Sequence, residues 1–292
     1  MVSITYPASK GKYSVRTVDR VALDRTRHSQ QLTVRVYFPN GEGKYPVILW
    51  SHGMGFNKNH YQPLVEFWAT HGYIIICANH LDAISGECVH GYELFRTDDI
   101  KFILDTLHMI EKKTLRNYNI CIDSGKIGVG GHSLGAHTTQ LIGGVKKKNG
   151  KTFRDKRPAA FLMISPRGTG RSLGKNSWDE FNRPALVITG TEDKSLKMRK
   201  PFTWRMEGFH GMPSHDKYLA LIQDACHGFG GITGIDGWKG SGPINPKHVE
   251  AVQSISLLFW DGYLKGNEGK IQVLRSTFIN EVTKEDVKIT WK

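Results

Sequence analysis

Short apolar segments alternate with helical patterns along most of the chain. Residues 46–50 and 73–78 are continuous apolar runs, as expected of parallel strands that are buried on both faces. Residues 32–38 instead alternate apolar and polar side chains, which is typical of a half-exposed strand. Further strands are predicted from shorter apolar runs at 127–129, 159–165, 185–189 and 217–222.

Apolar residues between these runs recur at helical spacing. One helix is predicted around residues 64–68, with Gly72 as a left-handed stop, and another over 133–145. Thr97 is predicted as the N-cap of a third helix, and Asn245 followed by Pro246 as the start of a fourth. This alternation predicts an α/β fold with a mostly parallel central sheet and helices on both faces. We expect a single domain over residues 1–292, with its core at about 30–265 and residues 266–292 unassigned.

The composition is that of a globular protein, with 39% hydrophobic and 23% charged residues among 292. This excludes a disordered or collagen-like chain. No run approaches 18 apolar residues, so no transmembrane segment is predicted. Residues 1–13 lack an apolar signal region. A signal removed beforehand would leave the same sequence, so the compartment stays open, and the oligomeric state is equally unknown.

The net charge of +13 makes nucleic acid a class of partner to consider. No zinc-finger spacing, aromatic RNA-binding motif or basic heptad region accompanies it, and we expect no nucleic-acid partner. The densest basic run, residues 146–157, is interpreted as a solvated loop. The four cysteines form no C-x-x-C pair, so no metal site is predicted. They fit free thiols best, although one or two disulfides stay open.

A glycine-rich turn between a predicted strand and a predicted helix carries the pattern G-x-S-x-G at Gly131, Ser133 and Gly135. A sharp turn of this kind strains the serine backbone and leaves no room for bulk two residues on either side. It would project the Ser133 hydroxyl above the sheet at the positive end of a helix. Ser133 is therefore the predicted nucleophile, and the N–H of Leu134 a predicted oxyanion donor.

A second oxyanion donor is expected from the loop that follows an earlier central strand. That loop reads Ser51-His-Gly-Met-Gly55. Its glycines allow the backbone to approach a substrate oxygen, and the N–H of Met54 is the candidate. A plain turn with an ordinary histidine is the alternative.

A serine needs a base, and the base needs a carboxylate that fixes its tautomer. The carboxyl ends of parallel strands meet at one edge of the sheet. Asp193 follows the strand at 185–189, and His227 follows the strand at 217–222. This order predicts His227 as the base and Asp193 as the acid.

Several neighbours leave alternatives open. Glu192 could replace Asp193, and Asp224 is close to His227 in sequence. His210 and His215 could be surface residues or substrate contacts. His132, beside the serine on a tight turn, is expected to face structure rather than chemistry.

These residues resemble the serine hydrolases of the α/β-hydrolase fold. Within that fold the chain looks most like dienelactone-hydrolase-like esterases related to platelet-activating-factor acetylhydrolase and to polyester-cleaving enzymes. The likeness spans roughly residues 35–230 and depends on the segments at 34–39, 46–53, 68–73, 130–136 and 225–228.

The resemblance implies Ser133 as nucleophile, His227 as base, and Met54 and Leu134 as oxyanion donors. Acetylhydrolase relatives place their acid soon after the strand that follows the nucleophile helix. Here that position reads Ile164-Ser-Pro-Arg-Gly168, without a carboxylate. The acid is therefore assigned to Asp193, as in dienelactone-hydrolase-like members.

The loops at 165–183 and 194–216 are expected to form the walls of the site. Their aromatic residues indicate an apolar acyl or aromatic pocket, and Trp178, Trp204 and Phe229 are the predicted substrate contacts. Arg167 and Arg171 could bind an anionic group or be solvated. The basic run at 146–157 is expected on the opposite edge of the sheet, away from substrate.

The predicted function is hydrolysis of small-molecule or polymeric carboxylic esters through an acyl-enzyme on Ser133, with no metal or organic cofactor. Cleavage of a lipid or a lactone by the same residues is the related alternative. A catalytically silent binding protein of the same fold is the alternative from another class. A peptidase is less favoured, because no propeller-like domain precedes the hydrolase region.

Overall fold

A computed structural model describes residues 6–27, 30–82 and 91–292. The strands in these ranges form one nine-stranded sheet in the order β1-β2-β4-β3-β5-β6-β7-β8-β9. Their bounds are β1 Val15–Arg27, β2 Gln30–Pro39, β3 Gly43–Ser51, β4 Ile74–Ala78, β5 Ile120–His132, β6 Ala160–Ile164, β7 Ala185–Gly190, β8 Lys217–Ile222 and β9 Val287–Trp291.

The centre of the sheet is parallel and its edges are antiparallel. Strands β3 to β8 pair in parallel, whereas β1, β2 and β9 pair antiparallel with their neighbours. The strand that each apolar run predicts is present. A mostly parallel sheet with helices, the arrangement of an α/β-hydrolase fold, is therefore confirmed.

Helices connect the parallel strands and cover the sheet. Asn245 caps one of them by accepting a hydrogen bond from the Lys247 N–H, as its position before a proline predicts. The helices are α1 Gln62–Thr70, α2 Tyr92–Asp105, α3 Leu107–Ile110, α4 Leu134–Gly143, α5 Thr203–Gly211, α6 Pro246–Lys265, α7 Glu268–Leu274 and α8 Phe278–Val282, with π-helical and 3₁₀ turns at Glu111–Leu115, Arg116–Tyr118 and Lys175–Trp178.

Two hydrophobic clusters lie on opposite faces of the sheet. Successive residues of a strand point to opposite faces, and in β3 Val47 and Leu49 join one cluster while Ile48 and Trp50 join the other. All four are buried. The continuous apolar runs are explained by this burial on both sides.

The predicted start of α2 is wrong. The helix begins at Tyr92 after Gly91, which adopts a left-handed conformation, rather than at Thr97. The Thr97 hydroxyl instead donates to the carbonyl oxygens of Glu93 and Leu94 inside the helix.

The C-terminal segment, unassigned from sequence, completes the edge of the sheet. It contains α7, α8 and β9, and β9 pairs antiparallel with β8 over five residue pairs, from Tyr218 with Trp291 to Ile222 with Val287. The strand that carries the predicted base at its end is therefore covered on its outer side.

None of the described helices is long and apolar enough to cross a membrane. Cys77, Cys121 and Cys226 carry free thiols. Cys88 lies outside the described residues.

Candidate active site

The turn between β5 and α4 holds Ser133 in a strained conformation, with φ 57° and ψ −113°. The flanking glycines are required by close approach: a Cβ on Gly135 would lie 1.8 Å from the Ser51 carbonyl oxygen, and one on Gly131 would lie 2.4 Å from the carbonyl carbon of Gly135. Because nothing larger than hydrogen fits there, the G-x-S-x-G pattern follows from packing. The turn leaves the Ser133 side chain bordering a cavity.

The three residues that the sequence selected as nucleophile, base and acid converge at the carboxyl edge of the sheet. Nε2 of His227 lies 2.9 Å from Oγ of Ser133, and Nδ1 lies 2.7 Å from Oδ1 of Asp193. If Nδ1 donates to the carboxylate, Nε2 is free to accept the serine proton. This is the orientation a general base requires.

Asp193 is fully buried beneath the imidazole. Burial alone would raise the pKa of its carboxyl, but the Arg205 guanidinium, His227 and a hydrogen bond from Ser165 together hold that pKa below its ordinary value. Arg205 Nε lies 3.5 Å from Oδ1, and the Thr189 hydroxyl donates to Oδ2 at 3.0 Å. The carboxylate is therefore kept ionised where it faces His227.

The alternative acids point elsewhere. The Glu192 carboxylate pairs with Lys194 Nζ at 2.8 Å, and the Asp224 carboxylate accepts a hydrogen bond from the Gln223 amide at 2.7 Å. His210 and His215 do not border the cavity at Ser133. The geometry therefore favours Asp193 over both alternatives.

Ser165 is a contact that sequence reasoning missed. It follows β6, is fully buried, and has φ 57°. Its Oγ lies 2.8 Å from Nδ1 of His227, the same nitrogen that faces Asp193. The sequence signal was the strand-end rule itself, which applies to the end of β6 as it does to the end of β7.

The predicted oxyanion donors, the N–H groups of Met54 and Leu134, belong to the loop after β3 and to the first turn of α4. Met54 borders the cavity and is 37% exposed, and Leu134 opens α4 directly after Ser133. Within the described residues, neither N–H donates to another protein atom. Both donors are thus available to a substrate oxygen.

A chain of buried hydrogen bonds joins the Met54 loop to the His227 loop. The Gly53 N–H donates to the Tyr61 hydroxyl at 3.0 Å, that hydroxyl lies 2.9 Å from Nδ1 of His132, and Nε2 of His132 lies 2.9 Å from the His227 carbonyl oxygen. Burial holds the pKa of His132 well below its ordinary value, so its ring is neutral with one donor and one acceptor nitrogen. His132 therefore faces structure, as its position on the turn predicts.

Arg96 is a buried side chain that fixes the backbone at His52, just before Met54. It is 1% exposed, donates from Nη1 to the His52 carbonyl oxygen at 2.6 Å, and forms an ion pair with Asp82 at 2.6 Å. Burial, followed by the charge of Arg96, lowers the pKa of His52 to about 3, so this ring is also neutral. Sequence alone gave no sign of this support, because Arg96 is 44 residues away from His52.

The cavity above Ser133 has a volume of about 440 Å³. Trp204, one of the predicted substrate contacts, borders it, and so does Trp238, which was not predicted. The Trp238 ring packs edge-on against His227, with 5.8 Å between centroids. A side chain that borders both the cavity and the base can limit water around the imidazole.

Two predicted substrate contacts do not border this cavity. Trp178 is 1% exposed and packs in the hydrophobic cluster beneath α5, and Phe229 is fully buried in the opposite cluster. Both side chains turn inward because a large apolar surface gains more from the core than from a cavity wall.

The basic run at 146–157 also departs from expectation. Lys147 and Lys148 border a second cavity, which adjoins the one at Ser133 and shares Arg167 with it. Lys147 is held there by Glu93 at the start of α2, with Nζ 2.5 Å from Oε2. Part of this run thus lies near the site rather than across the sheet from it.

Among the described residues, no group of histidine, cysteine, aspartate or glutamate side chains could hold a metal ion.

A comparison with known families matched residues 4–150, just over half of the chain, to the family described as chlorophyllase. No curated protein matched the sequence. The matched region contains Met54 and Ser133 and ends before Asp193 and His227. The chain belongs to the chlorophyllase family, a family of α/β-hydrolase-fold enzymes that hydrolyse carboxylic esters.

Proposed function

We propose that this protein is a serine esterase that cleaves carboxylic esters through an acyl-enzyme on Ser133. The observation that carries the proposal is the pair of contacts made by His227, 2.9 Å from Ser133 Oγ and 2.7 Å from Asp193 Oδ1. Family membership supports ester hydrolysis in general. The individual roles are supported by geometry and burial.

In the first half-reaction, Nε2 of His227 takes the proton of Ser133 as its Oγ attacks the ester carbonyl. The oxygen of the tetrahedral intermediate accepts hydrogen bonds from the N–H groups of Met54 and Leu134. Asp193, kept ionised beside Arg205, stabilises the imidazolium. His227 then gives its proton to the departing alcohol.

In the second half-reaction, water replaces the alcohol. His227 removes a proton from that water, the hydroxide attacks the acyl carbonyl, and the same two N–H groups stabilise the second intermediate. Collapse returns the proton to Ser133 and releases the carboxylic acid. The positive end of α4 behind Ser133 favours the negative charge that forms in both steps.

The test is hydrolysis of 4-nitrophenyl butyrate by the wild-type protein and by Ser133→Ala. Removing the nucleophile should lower kcat by a factor of about 10⁴ or more. Ser124→Ala, which alters an exposed serine far along β5, is the matched control and should retain the wild-type rate. A Ser133→Ala variant as active as the control would overturn the proposal.

A covalent readout separates chemistry from binding. A fluorophosphonate should add one adduct to the wild-type protein, detected by intact mass, and none to Ser133→Ala. Wild-type protein that neither turns over the ester nor takes the label would instead support the silent binding protein of the same fold.

A further inference from the structure

The cavity at Ser133 has two chemically different walls. Met54, Phe56 and Trp238 form an apolar wall, and Phe56 and Trp238 pack edge-on with 5.4 Å between ring centroids. Five other residues that border the same cavity are cationic and three, Leu196, Met198 and Trp204, are apolar. Among the described residues, no aspartate or glutamate borders it. The cations are Arg167, Lys194, Lys197, Arg205 and Lys239.

A second cavity of about 590 Å³ continues from the cationic wall. It shares Arg167, Lys197 and Met198 with the first cavity, and none of the apolar-wall residues borders it. It adds three further cations, Lys147, Lys148 and Arg171, and one carboxylate, Glu93. We call the two cavities together the cationic groove.

The carboxylates near this groove are already engaged. Glu93 binds His137 at 3.0 Å and Lys147 at 2.5 Å, and these two partners offset the effect of burial and lower its pKa to about 2. Glu192 is paired with Lys194, and Asp193 with Arg205. Among the described residues that border the groove, the cations without a carboxylate partner are Arg167, Arg171, Lys148, Lys197 and Lys239.

Arg167 is fixed by hydrogen bonds both at its backbone carbonyl and at its guanidinium group. The amide of Gln140, on the nucleophile helix α4, donates to its carbonyl oxygen at 3.0 Å. Its Nη1 donates to the Tyr92 hydroxyl at 2.6 Å, and the guanidinium lies 5.6 Å from the centre of that ring. Since a guanidinium has five N–H donors, most of them remain for a ligand where the two cavities meet.

We propose that the ester cleaved at Ser133 carries an anionic group, a carboxylate or a phosphate, which Arg167 and the lysines of the cationic groove bind while the apolar wall holds the other arm. The inference depends on the proposed function and adds the substrate class to it. An anion would accept charge-assisted hydrogen bonds from the fixed Arg167 guanidinium, whereas a neutral substrate would leave those donors to water.

The first test compares matched esters whose distal carboxyl group is either free and charged or methylated and neutral. The 4-nitrophenyl monoesters of adipic and suberic acid carry a free carboxylate, and their methyl-capped counterparts are neutral. We expect kcat/KM to be at least tenfold higher for the charged member of a pair, a difference of about 1.4 kcal/mol. The gap should shrink as NaCl is added, because the groove is open to solvent.

The second test asks whether the preference depends on Arg167. In Arg167→Gln the ratio of kcat/KM between charged and neutral esters should fall toward one, mainly through KM. Arg167→Lys should keep part of it, since the charge remains but the planar donors are lost. Lys112→Gln, an exposed cation that borders neither cavity, is the matched control and should keep the full ratio.

A parallel pair identifies the anion. Butyryl glycerol phosphate against butyryl glycerol tests a phosphate on the alcohol side, and the dicarboxylic monoesters test a carboxylate on the acyl side. A preference in either pair that Arg167→Gln removes supports the proposal and names the anion. Equal or slower turnover of the charged member in both pairs overturns it.

Failure of the proposed function is distinguishable from failure of this inference. Calorimetric titration of Ser133→Ala with monobutyl adipate measures anion binding without turnover. Binding that Arg167→Gln weakens by about tenfold supports the groove even if no ester is hydrolysed. Binding unchanged by Arg167→Gln overturns it even if neutral esters are cleaved.

Discussion

Two Ser–His–Asp arrangements with nearly the same distances lie within the described residues. At the cavity, His227 lies 2.9 Å from Ser133 and 2.7 Å from Asp193. Beneath the Met54 loop, Nε2 of His80 lies 2.8 Å from the Ser51 hydroxyl, and its Nδ1 lies 2.9 Å from Oδ2 of Asp99. Hydrogen-bond geometry alone does not distinguish the two.

The two sets differ in their access to solvent and in the backbone conformation of their serine. Ser51, His80 and Asp99 are all completely buried, and none of them borders the cavity at Ser133. Ser51 is an ordinary residue of β3, whereas Ser133 has a positive φ and stands before two available N–H donors. The buried set lies beneath the Met54 loop, and of the two sets only the open one borders the cavity.

Replacing the aspartate of each set by asparagine should give the largest difference in activity between the two sets. Asp193→Asn should lower kcat by about 10⁴, because it favours the wrong tautomer of His227. Asp99→Asn should cost about 1–3 kcal/mol of unfolding free energy and less than tenfold in kcat. Ester hydrolysis and urea unfolding measure both.

Changes at the alternative acids complete that experiment. Asp224→Asn and Glu192→Gln should each reduce kcat far less than Asp193→Asn does. A larger loss of kcat in either variant would assign the acid's role to that residue. A loss of kcat in Asp99→Asn equal to that in Asp193→Asn would remove the distinction between the two sets.

Each of the two sets lies beside a buried histidine that should make the unfolding free energy depend on pH in the same direction. His52 beside the buried set and His132 beside the open set have folded pKa values lowered by burial, so the unfolded chain binds more protons below about pH 6.5. The unfolding free energy should fall as pH decreases from about 6.5 toward 3, by up to about 1.4 kcal/mol per pH unit for each histidine.

Urea unfolding at a series of pH values measures this slope. His52→Gln and His132→Gln should each flatten it, since each removes one of the protons that only the unfolded chain binds. A slope that both variants leave unchanged would show that these rings are not held neutral.

Removing a serine hydroxyl should separate stability from chemistry. Ser51→Ala takes away the group that faces Nε2 of His80, and we expect a loss of about 1–3 kcal/mol in unfolding free energy. Ser133→Ala should change it by less than about 0.5 kcal/mol while abolishing turnover. Thermal or urea melts of the two variants, run beside each other, decide the point; equal losses would contradict it.

A moderate effect is expected at Tyr61, which links the Met54 loop to His132. Tyr61→Phe should lower kcat/KM roughly tenfold, equivalent to about 1.4 kcal/mol, because Gly53 and the His227 loop lose their shared anchor. Tyr73→Phe, which removes an equally buried hydroxyl bonded to Asp261, is the control. It should destabilise the fold without changing kcat/KM, and an equal effect of both variants on kcat/KM would exclude the link.

The fold, and the meeting of Ser133, Asp193 and His227, were predictable where a local sequence pattern favours one structure. Short continuous apolar runs bounded by turn signals favour buried strands, and G-x-S-x-G between a predicted strand and a predicted helix favours a sharp turn. Strand ends then located Asp193 and His227, although their roles stay predictions. That residues 1–292 form one domain also stays a prediction.

Features that depend on distant partners were not predictable. Trp178 and Phe229 belong to loops with many aromatic residues, and only the packed structure decides which rings turn inward. Lys147 lies near the site because Glu93, 54 residues earlier, holds it. The pairing of β9 with β8 joins segments about 70 residues apart, which no local pattern records.

The position of Ser165 could hold the acid of the site in place of the position of Asp193. Neighbouring strands β6 and β7 deliver Ser165 and Asp193 to the same imidazole nitrogen, and the positive φ of Ser165 is one that aspartate tolerates well. A single substitution, Ser165→Asp, would place a carboxylate at the end of the neighbouring strand without altering the sheet. Lineages descending from this architecture therefore have a short route by which the acid can change strands while the serine and histidine stay in place.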